Sequence, residues 1–347
     1  MATIRDVSKL AGVSATSVSL VLSGKFGTRI REDTARRVRD AARRLRYEPN
    51  VTARRLRSRR RGRRRTFYAG FVFTPLIDQK TAPYYSEILN GMQAEAMQHG
   101  YHLVVGSGFA STTEKLGYLR RLNDDIDGWL LGGVVEDDIL DWSREARIPV
   151  VILGGGTVRG DFDCVVPDDF EAGRLSAHHL LDLGHERLAF LGYPSDSHSL
   201  RSRVAGFRER LAQAGAWGKD VVDYAEPTRD AVLKWLSGKL KQRASPTAIV
   251  AMDDRMALLV MKAANRLGLR VPDEISVLGF DDVPIANLWD PPLTTIRMPM
   301  RQIGCVALSR LIQRIDSAEL PCSKLMLPIE LIVRSSTAPP GRHTTGT

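Results

Sequence analysis

Four short stretches carry the residue types that hold small polar molecules. Asp253-Asp254 closes the apolar run Ala248–Met252, and Asp281-Asp282 closes Ile275–Phe280. Arg203 precedes Gly206-Phe207 in a helical stretch behind a third run, and Tyr84-Tyr85 opens another helical stretch behind a fourth. Carboxylates and a guanidinium hold vicinal hydroxyls through paired hydrogen bonds, and aromatic rings pack on sugar faces. Open parallel sheets bind ligands at the carboxyl ends of their strands. Tyr84, Tyr85, Arg203, Asp253 and Asp281 are therefore the ligand-binding candidates, and a sugar-like molecule is the natural occupant. Asp254 and Asp282 read as caps of the helices that follow. The two tyrosines suit a core as readily as a pocket.

A second chemistry is concentrated at the amino end. The net charge is +10, but residues 1–65 hold 20 Lys+Arg against five Asp+Glu, so the rest of the chain is mildly acidic. Nine of these are the arginines at 54, 55, 57, 59, 60, 61, 63, 64 and 65. Such asymmetry is the footprint of a polyanionic partner. Free in solution, the run repels itself and extends; on DNA it adds phosphate contacts without sequence information.

The elements that position these residues fall into two regimes. Ile4, Val7 and Leu10-Ala11 recur at helical spacing, Thr3 with Asp6 fits a helix start, and Gly12 supplies a tight turn. Ser14 caps a second helix whose Val18, Val21 and Leu22 point inward, leaving Ala15, Thr16, Ser19 and Leu20 outward. A third helix carries Ala35, Val38, Ala41-Ala42 and Leu45 on one stripe. This is a helix-turn-helix, which sets its second helix in the DNA major groove. Pro49 then breaks the chain and Asn50 caps a short, marginal helix to Arg57. From Phe67 strands and amphipathic helices alternate, which implies parallel sheets with helices on both faces, and eight or more strands suit two doubly wound lobes. The fold class is α/β with an all-α head.

The run Thr3-Ile4-Arg5-Asp6-Val7, then Lys9-Leu10-Ala11-Gly12-Val13-Ser14, then Val18-Ser19, followed by Tyr47, Pro49-Asn50, Ala53 and Leu56, resembles the lactose-repressor (LacI/GalR) family of transcription regulators. Arg203-x-x-Gly206-Phe207 and Gly279-Phe280-Asp281-Asp282 are similar to the family segments whose arginine and first aspartate touch the effector. The resemblance implies DNA contacts from Thr3, Ser14, Ala15, Thr16, Ser17, Leu20 and Arg29 in the head. In the hinge it implies Asn50, Ala53, Arg54, Leu56 and Arg57, with Leu56 as a minor-groove wedge between paired hinges. Ser17, Arg29 and Arg31 suit phosphates. Leu20 stands where the family has a guanine-reading arginine, so only apolar base contact is open to it. Asp253 stands where the family has an asparagine, which favours a more basic or more hydroxylated ligand. Tyr224 is the nearest match, one register off, to an aromatic the family often supplies.

The resemblance also implies a layout. Residues 1–48 form the head, 49–65 a hinge and arginine-rich linker, and 66–337 a two-lobed core of the periplasmic-binding-protein type. Lobe one takes about 66–165 plus 295–322, lobe two about 166–292 plus 323–337, with Asp290–Ile296 as a crossover and 338–347 as a disordered tail. A homodimer on a pseudo-palindromic operator follows, switched by a sugar or polyol effector, and the chain is read as a repressor with either sign of effector action open. Three spaced cysteines, no signal peptide and no apolar run long enough to span a bilayer imply a cytoplasmic protein without a membrane role. No cofactor, metal site or catalytic group is expected: the triple glycine Gly154–Gly156 lacks the dinucleotide fingerprint, and His178, His179, His185 and Glu186 lack zinc spacing. An exported sugar-transport protein with the same core would need a leader that the charged amino end does not provide.

Overall fold

Three helices at the amino end share one small core. In the computed structural model, which describes residues 2–22, 30–45, 47, 59–60, 63–74, 82–195, 197–215, 221–242 and 244–341, these are α1 (Ile4–Ala11), α2 (Ala15–Leu22) and α3 (Glu32–Arg44). Val7, Ala11, Val18, Val21, Ala35, Val38, Ala41 and Ala42 are buried together. Leu10 is not among them: the α1 stripe narrows, and Leu10 is half exposed at 51%. A capping box closes the start of α1, with Thr3 N donating to Asp6 Oδ2 at 2.8 Å and Asp6 N to Thr3 Oγ1 at 3.4 Å. Gly12 ends α1 at φ 65, a left-handed turn.

Within the arginine run, β1 (Arg59–Arg60) pairs antiparallel with β2 (Arg63–Arg64), and among the described residues this two-stranded ribbon joins no other sheet. Arg65 then ion-pairs with Asp316.

Two six-stranded sheets follow. The first comprises β3 (Tyr68–Thr74), β4 (His102–Gly106), β5 (Gly128–Gly133), β6 (Val150–Leu153), β7 (Asp163–Pro167) and β13 (Lys324–Leu327), in spatial order 13-7-6-5-3-4. All its pairings are parallel. Between its strands run α4 (Ala82–His99), α5 (Thr112–Leu122) and α6 (Asp137–Ala146). The second comprises β8 (Leu188–Gly192), β9 (Val222–Tyr224), β10 (Ala248–Ala251), β11 (Ser276–Asp281), β12 (Thr294–Arg297) and an antiparallel edge, β14 (Glu330–Ile332), in order 14-12-11-10-8-9. Its helices are α7 (Asp169–Asp182), α8 (His198–Gln213), α9 (Arg229–Leu240), α10 (Asp254–Arg266) and α11 (Pro284–Leu288), while α12 (Met300–Asp316) packs against α4 and the first sheet. The central strands β6, β8 and β10 are buried along their whole length, as apolar runs covered on both faces must be. α7 and α8 touch at backbone level, because a Cβ on Gly173 would fall on the Arg203 carbonyl and one on Gly206 on the Phe170 carbonyl.

The sheet memberships move the expected lobe limits. Thr294–Arg297 pairs with β11 and β14, so it belongs to lobe two rather than one, and Lys324–Leu327 pairs with β7, so it belongs to lobe one rather than two. The chain passes between lobes after Pro167, Arg297 and Leu327. Asp290–Ile296 is accordingly not the crossover but the entry to β12, held by buried Leu293 and Thr294. The segment from Ala338 is likewise not loose at its start. Ala338 O accepts from His185 Nε2 at 2.9 Å, and Ala338 N donates to Ser276 Oγ at 3.1 Å. His185, 2% exposed, also meets Thr247 Oγ1 at 2.9 Å, so its imidazole is a structural pin. Residues 342–347 lie outside the described residues.

Candidate DNA-reading head and effector cleft

Ser14 starts α2 by accepting the Ser17 N–H at 3.0 Å, and the two hydroxyls lie 2.9 Å apart. With Val18 and Val21 facing the core, Thr16 and Ser19 are exposed and Ala15, Ser17 and Leu20 half-buried on the outer side. That surface is small and uncharged, as the spacing predicts. Thr3 is exposed with its hydroxyl engaged by Asp6 at 2.8 Å. Arg31 precedes α3 and is exposed. Arg29, Asn50, Ala53, Arg54, Leu56 and Arg57 lie outside the described residues.

The cleft is built where strands end. β11 delivers Asp281 with its backbone at φ 105, a region that side chains rarely adopt. β10 delivers Asp253, which caps α10 by accepting the Met256 N–H at 2.7 Å. α8 presents Arg203, 4% exposed. Its Nε donates to Asp169 Oδ1 at 2.8 Å, its Nη1 donates to the Met252 carbonyl at 2.7 Å, and its face lies 4.7 Å over the Phe280 ring. Its Nη2 stands 3.7 Å from Asp281 Oδ1, an ion pair without a hydrogen bond. That oxygen is buried and has no hydrogen-bond partner among the described residues. Burial pushes the Asp281 carboxyl up to about 7 against the pull of Arg203, with Asp253 and Asp169 adding to the rise. Burial also raises Asp253. A cavity of about 300 Å³ opens beside these groups, lined by Tyr84, Asp253, Asp281, Leu258, Val283 and Trp289 among others.

Three expectations change here. Asp254 is not the cap of α10; it is 1% exposed, accepting from Thr295 Oγ1 at 2.5 Å and Val283 N at 2.9 Å, so it ties β10, β12 and the β11 end together. Asp282 caps nothing either, and instead meets Arg297 Nε at 2.8 Å and Arg334 Nη2 at 2.6 Å. Tyr85 is 7% exposed and stacks on Phe73 at 4.4 Å within the lobe-one core, whereas its neighbour Tyr84 reaches the cavity and donates to the Gly154 carbonyl at 3.3 Å. Tyr224 stays outside the cavity, 53% exposed.

A further set of groups joins the lobes. The carbonyls of Gly155 and Gly156, in the lobe-one loop after β6, accept the Ser199 N–H at 2.9 Å and the His198 N–H at 3.1 Å from the first turn of α8. Ser199 Oγ also donates to Asp169 Oδ2 at 2.8 Å. The path Asp281, Arg203, Asp169, Ser199, Gly155 thus runs unbroken from the cavity to the opposite lobe. Asp169 and Ser199 carried no sequence signal beyond helix-start residues.

With head and cleft in hand, comparison with known proteins is decisive. Residues 3–50 match the family model for bacterial regulatory proteins of the lacI family, and 177–337 match a periplasmic binding protein-like domain. The HTH-type transcriptional repressor PurR of Photobacterium profundum is 31% identical over 345 residues, covering 97% of this chain and 98% of the relative. The chain belongs to the LacI family. PurR of Vibrio vulnificus is 32% identical over 351 residues, with the same coverage. Among solved structures, the transcriptional regulator CelR–cellobiose complex superposes with a TM-score of 0.71 at 28% identity, covering 97% of this chain and 100% of that one. The lac repressor dimer bound to operator and the anti-inducer ONPF gives 0.70 at 26%, covering 97% and 99%. This LacI-family chain is thus a DNA-binding transcriptional repressor with a periplasmic-binding-protein-like effector domain. Among the described residues no helix is long and apolar enough to cross a membrane, and no group of His, Cys, Asp and Glu is arranged to hold a metal.

Proposed function

We propose that the protein represses transcription as a homodimer on a pseudo-palindromic operator and is switched by a small polar effector in the cleft around Asp281. The observation that carries this reading is the interlobe path. A ligand that engages Asp281 alters the charge that Arg203 faces, Arg203 holds Asp169, and Asp169 with Ser199 fixes the helix start that grips the glycine loop of lobe one. Only a ligand with unequal affinity for two lobe arrangements shifts their balance. Sugar-like polyols suit the site's acceptors, and the cellobiose in the CelR complex is of that class. Ala15, Thr16 and Leu20 read bases, Thr3, Ser14, Ser17 and Arg29 dock the head, and Asn50, Ala53, Arg54, Leu56 and Arg57 form the hinge that folds on DNA. Ile285 and Leu288, exposed at 47% and 80% on α11, give the dimer an apolar face on lobe two beside any contact through lobe one.

Selection of binding sites from randomised duplex DNA at two salt concentrations tests the reading. A recovered palindrome with a flexible central step supports it and supplies the probe for effector titration by fluorescence anisotropy. Recovery of a single half-site, or of no motif, sinks the dimeric operator reader.

A further inference from the structure

The linker to the DNA head folds back on itself before it reaches lobe one. Arg59 is the register partner of Arg64, and Arg60 of Arg63. Position 59 therefore lies one strand spacing, about 5 Å, from position 64. Extended, the stretch from 59 to 64 would reach about 20 Å. Folded back, it gives the head almost no slack. Arginines set opposite one another repel, so DNA phosphates that neutralise them favour the closed ribbon. The chain after the ribbon is then gripped residue by residue. Arg65 ion-pairs with Asp316. Thr66 donates to Asp127 Oδ1 from its N–H at 2.8 Å and from its hydroxyl at 3.0 Å, and Phe67 N donates to Asp127 Oδ2 at 2.8 Å. Phe67 is buried at a left-handed φ of 61, with its ring 5.5 Å from that of Tyr101. A bulky residue takes that conformation only where its surroundings impose it, so the direction in which the linker leaves β3 is fixed. Asp127 is itself anchored at the start of β5, its N–H on the Tyr68 carbonyl at 2.8 Å. Asp316 ends α12, where an acid opposes the helix dipole; it weakens the helix there and holds the linker. α12 is 17 residues long, about 25 Å, and begins just past the passage between lobes at Arg297. One rod thus runs from that passage to the linker exit.

We propose that Asp316 and Asp127 are positioning residues for the DNA head. With the closed ribbon they hold the head at fixed reach and direction, so that the second head of a dimer meets its half-site at high effective concentration and at one half-site spacing. This rests on the dimeric operator reading and says what in lobe one enforces it. The length and stiffness of a tether set the effective concentration of the second binding event. Loosening the exit therefore weakens binding to a whole operator and leaves binding to a half-site alone. A residue that only stabilised lobe one would not separate the two.

The test measures full-length protein by fluorescence anisotropy on three duplexes: the selected palindrome, the same duplex with one half-site scrambled, and the palindrome lengthened by two base pairs at its centre. Asp127 also holds the start of β5, so the substitutions are made at the surface pair, where the Asp316 side chain is 39% exposed. In Asp316→Arg, and separately in Arg65→Asp, the ratio of whole-operator to half-site affinity is expected to fall about tenfold, and the penalty for the lengthened centre to shrink. A uniform change in phosphate attraction cancels in that ratio. The double variant, with the two charges exchanged, is expected to recover most of both effects. Ratios unchanged in the single variants, or no recovery in the double variant, overturn the proposal. A wild-type protein that binds the half-site as tightly as the palindrome fails the dimeric reading itself, and the proposal falls with it.

Discussion

Asp281 holds an unfavourable backbone conformation and an unfavourable charge at the same position. Its folded carboxyl sits at about 7, whereas the unfolded chain ionises near the usual ~3.9. Between these values the folded state keeps a proton that the unfolded state has released, so stability falls as pH rises across that window and levels above it. Asp281→Asn removes the charge, and asparagine tolerates positive φ better than most residues. The variant is expected to be more stable than the parent at pH 8, by at least ~1.4 kcal/mol if one unit of the shift is recovered. The gap should close toward pH 4, and effector response should be lost; thermal unfolding at the two pH values checks it. At this scale the sequence placed Asp253 and Asp281 at strand ends and Arg203 on a helix behind a strand, and the structure brings Arg203 within 3.7 Å of Asp281. The sequence was uninformative where adjacent residues of one type divide two jobs. Which aspartate of Asp253-Asp254 caps and which braces, and which of Tyr84 and Tyr85 enters the core, depends on Thr295, Val283 and Phe73, partners distant in the chain.

The first turn of α8 is an element with two duties, because the N–H groups that any helix start leaves free are used here to hold the other lobe. Ser199→Pro tests this. Proline is tolerated in the first turn of a helix but has no N–H and no hydroxyl, so the variant removes the bond to Gly155 together with the bond from Ser199 Oγ to Asp169 and leaves α8 in place. A typical hydrogen bond contributes ~1 kcal/mol, so losing the interlobe bond alone should move the balance between lobe arrangements about fivefold, and losing the Asp169 bond as well makes that a lower bound. The effector concentration that half-releases operator DNA is expected to shift by at least that factor, with the unfolding midpoint nearly unchanged. An unshifted dose response would remove Ser199 from the coupling path. Neither duty was legible beforehand. Gly154–Gly156 read as a loop, and Ser199 carried no reading of its own; only folding brings Ser199 N and the Gly155 carbonyl to 2.9 Å. The arginine ribbon is the opposite case, since its composition announces its chemistry. Replacing Arg59, Arg60, Arg63 and Arg64 with glutamine is expected to flatten the salt dependence of operator binding. The logarithmic slope should fall by about 0.9 for each phosphate that is no longer neutralised, and the selected sequence should stay the same. Among the described residues, the ribbon pairs with no strand of either lobe's sheet.

Across the whole molecule, alternation of strands and helices was enough to foresee two doubly wound lobes, because each βα unit declares itself locally. The short strands Asp163–Pro167, Thr294–Arg297, Lys324–Leu327 and Glu330–Ile332 were not foreseen, since three to five residues carry too little periodicity and their sheet is decided by distant pairing. Those strands are what lace the lobes together, with three passages of the chain between them. By contrast, the head is joined to the core by a single stretch, residues 49–65. The two arrangements have different prospects under recombination. A single exchange point in that stretch would transplant an intact DNA reader onto an intact sensor, and new pairings of operator with signal can arise in one event. Exchanging one lobe requires three simultaneous junctions, and any lesser splice severs a sheet. The core is therefore inherited whole, and its ligand preference must drift by point substitution inside the cleft.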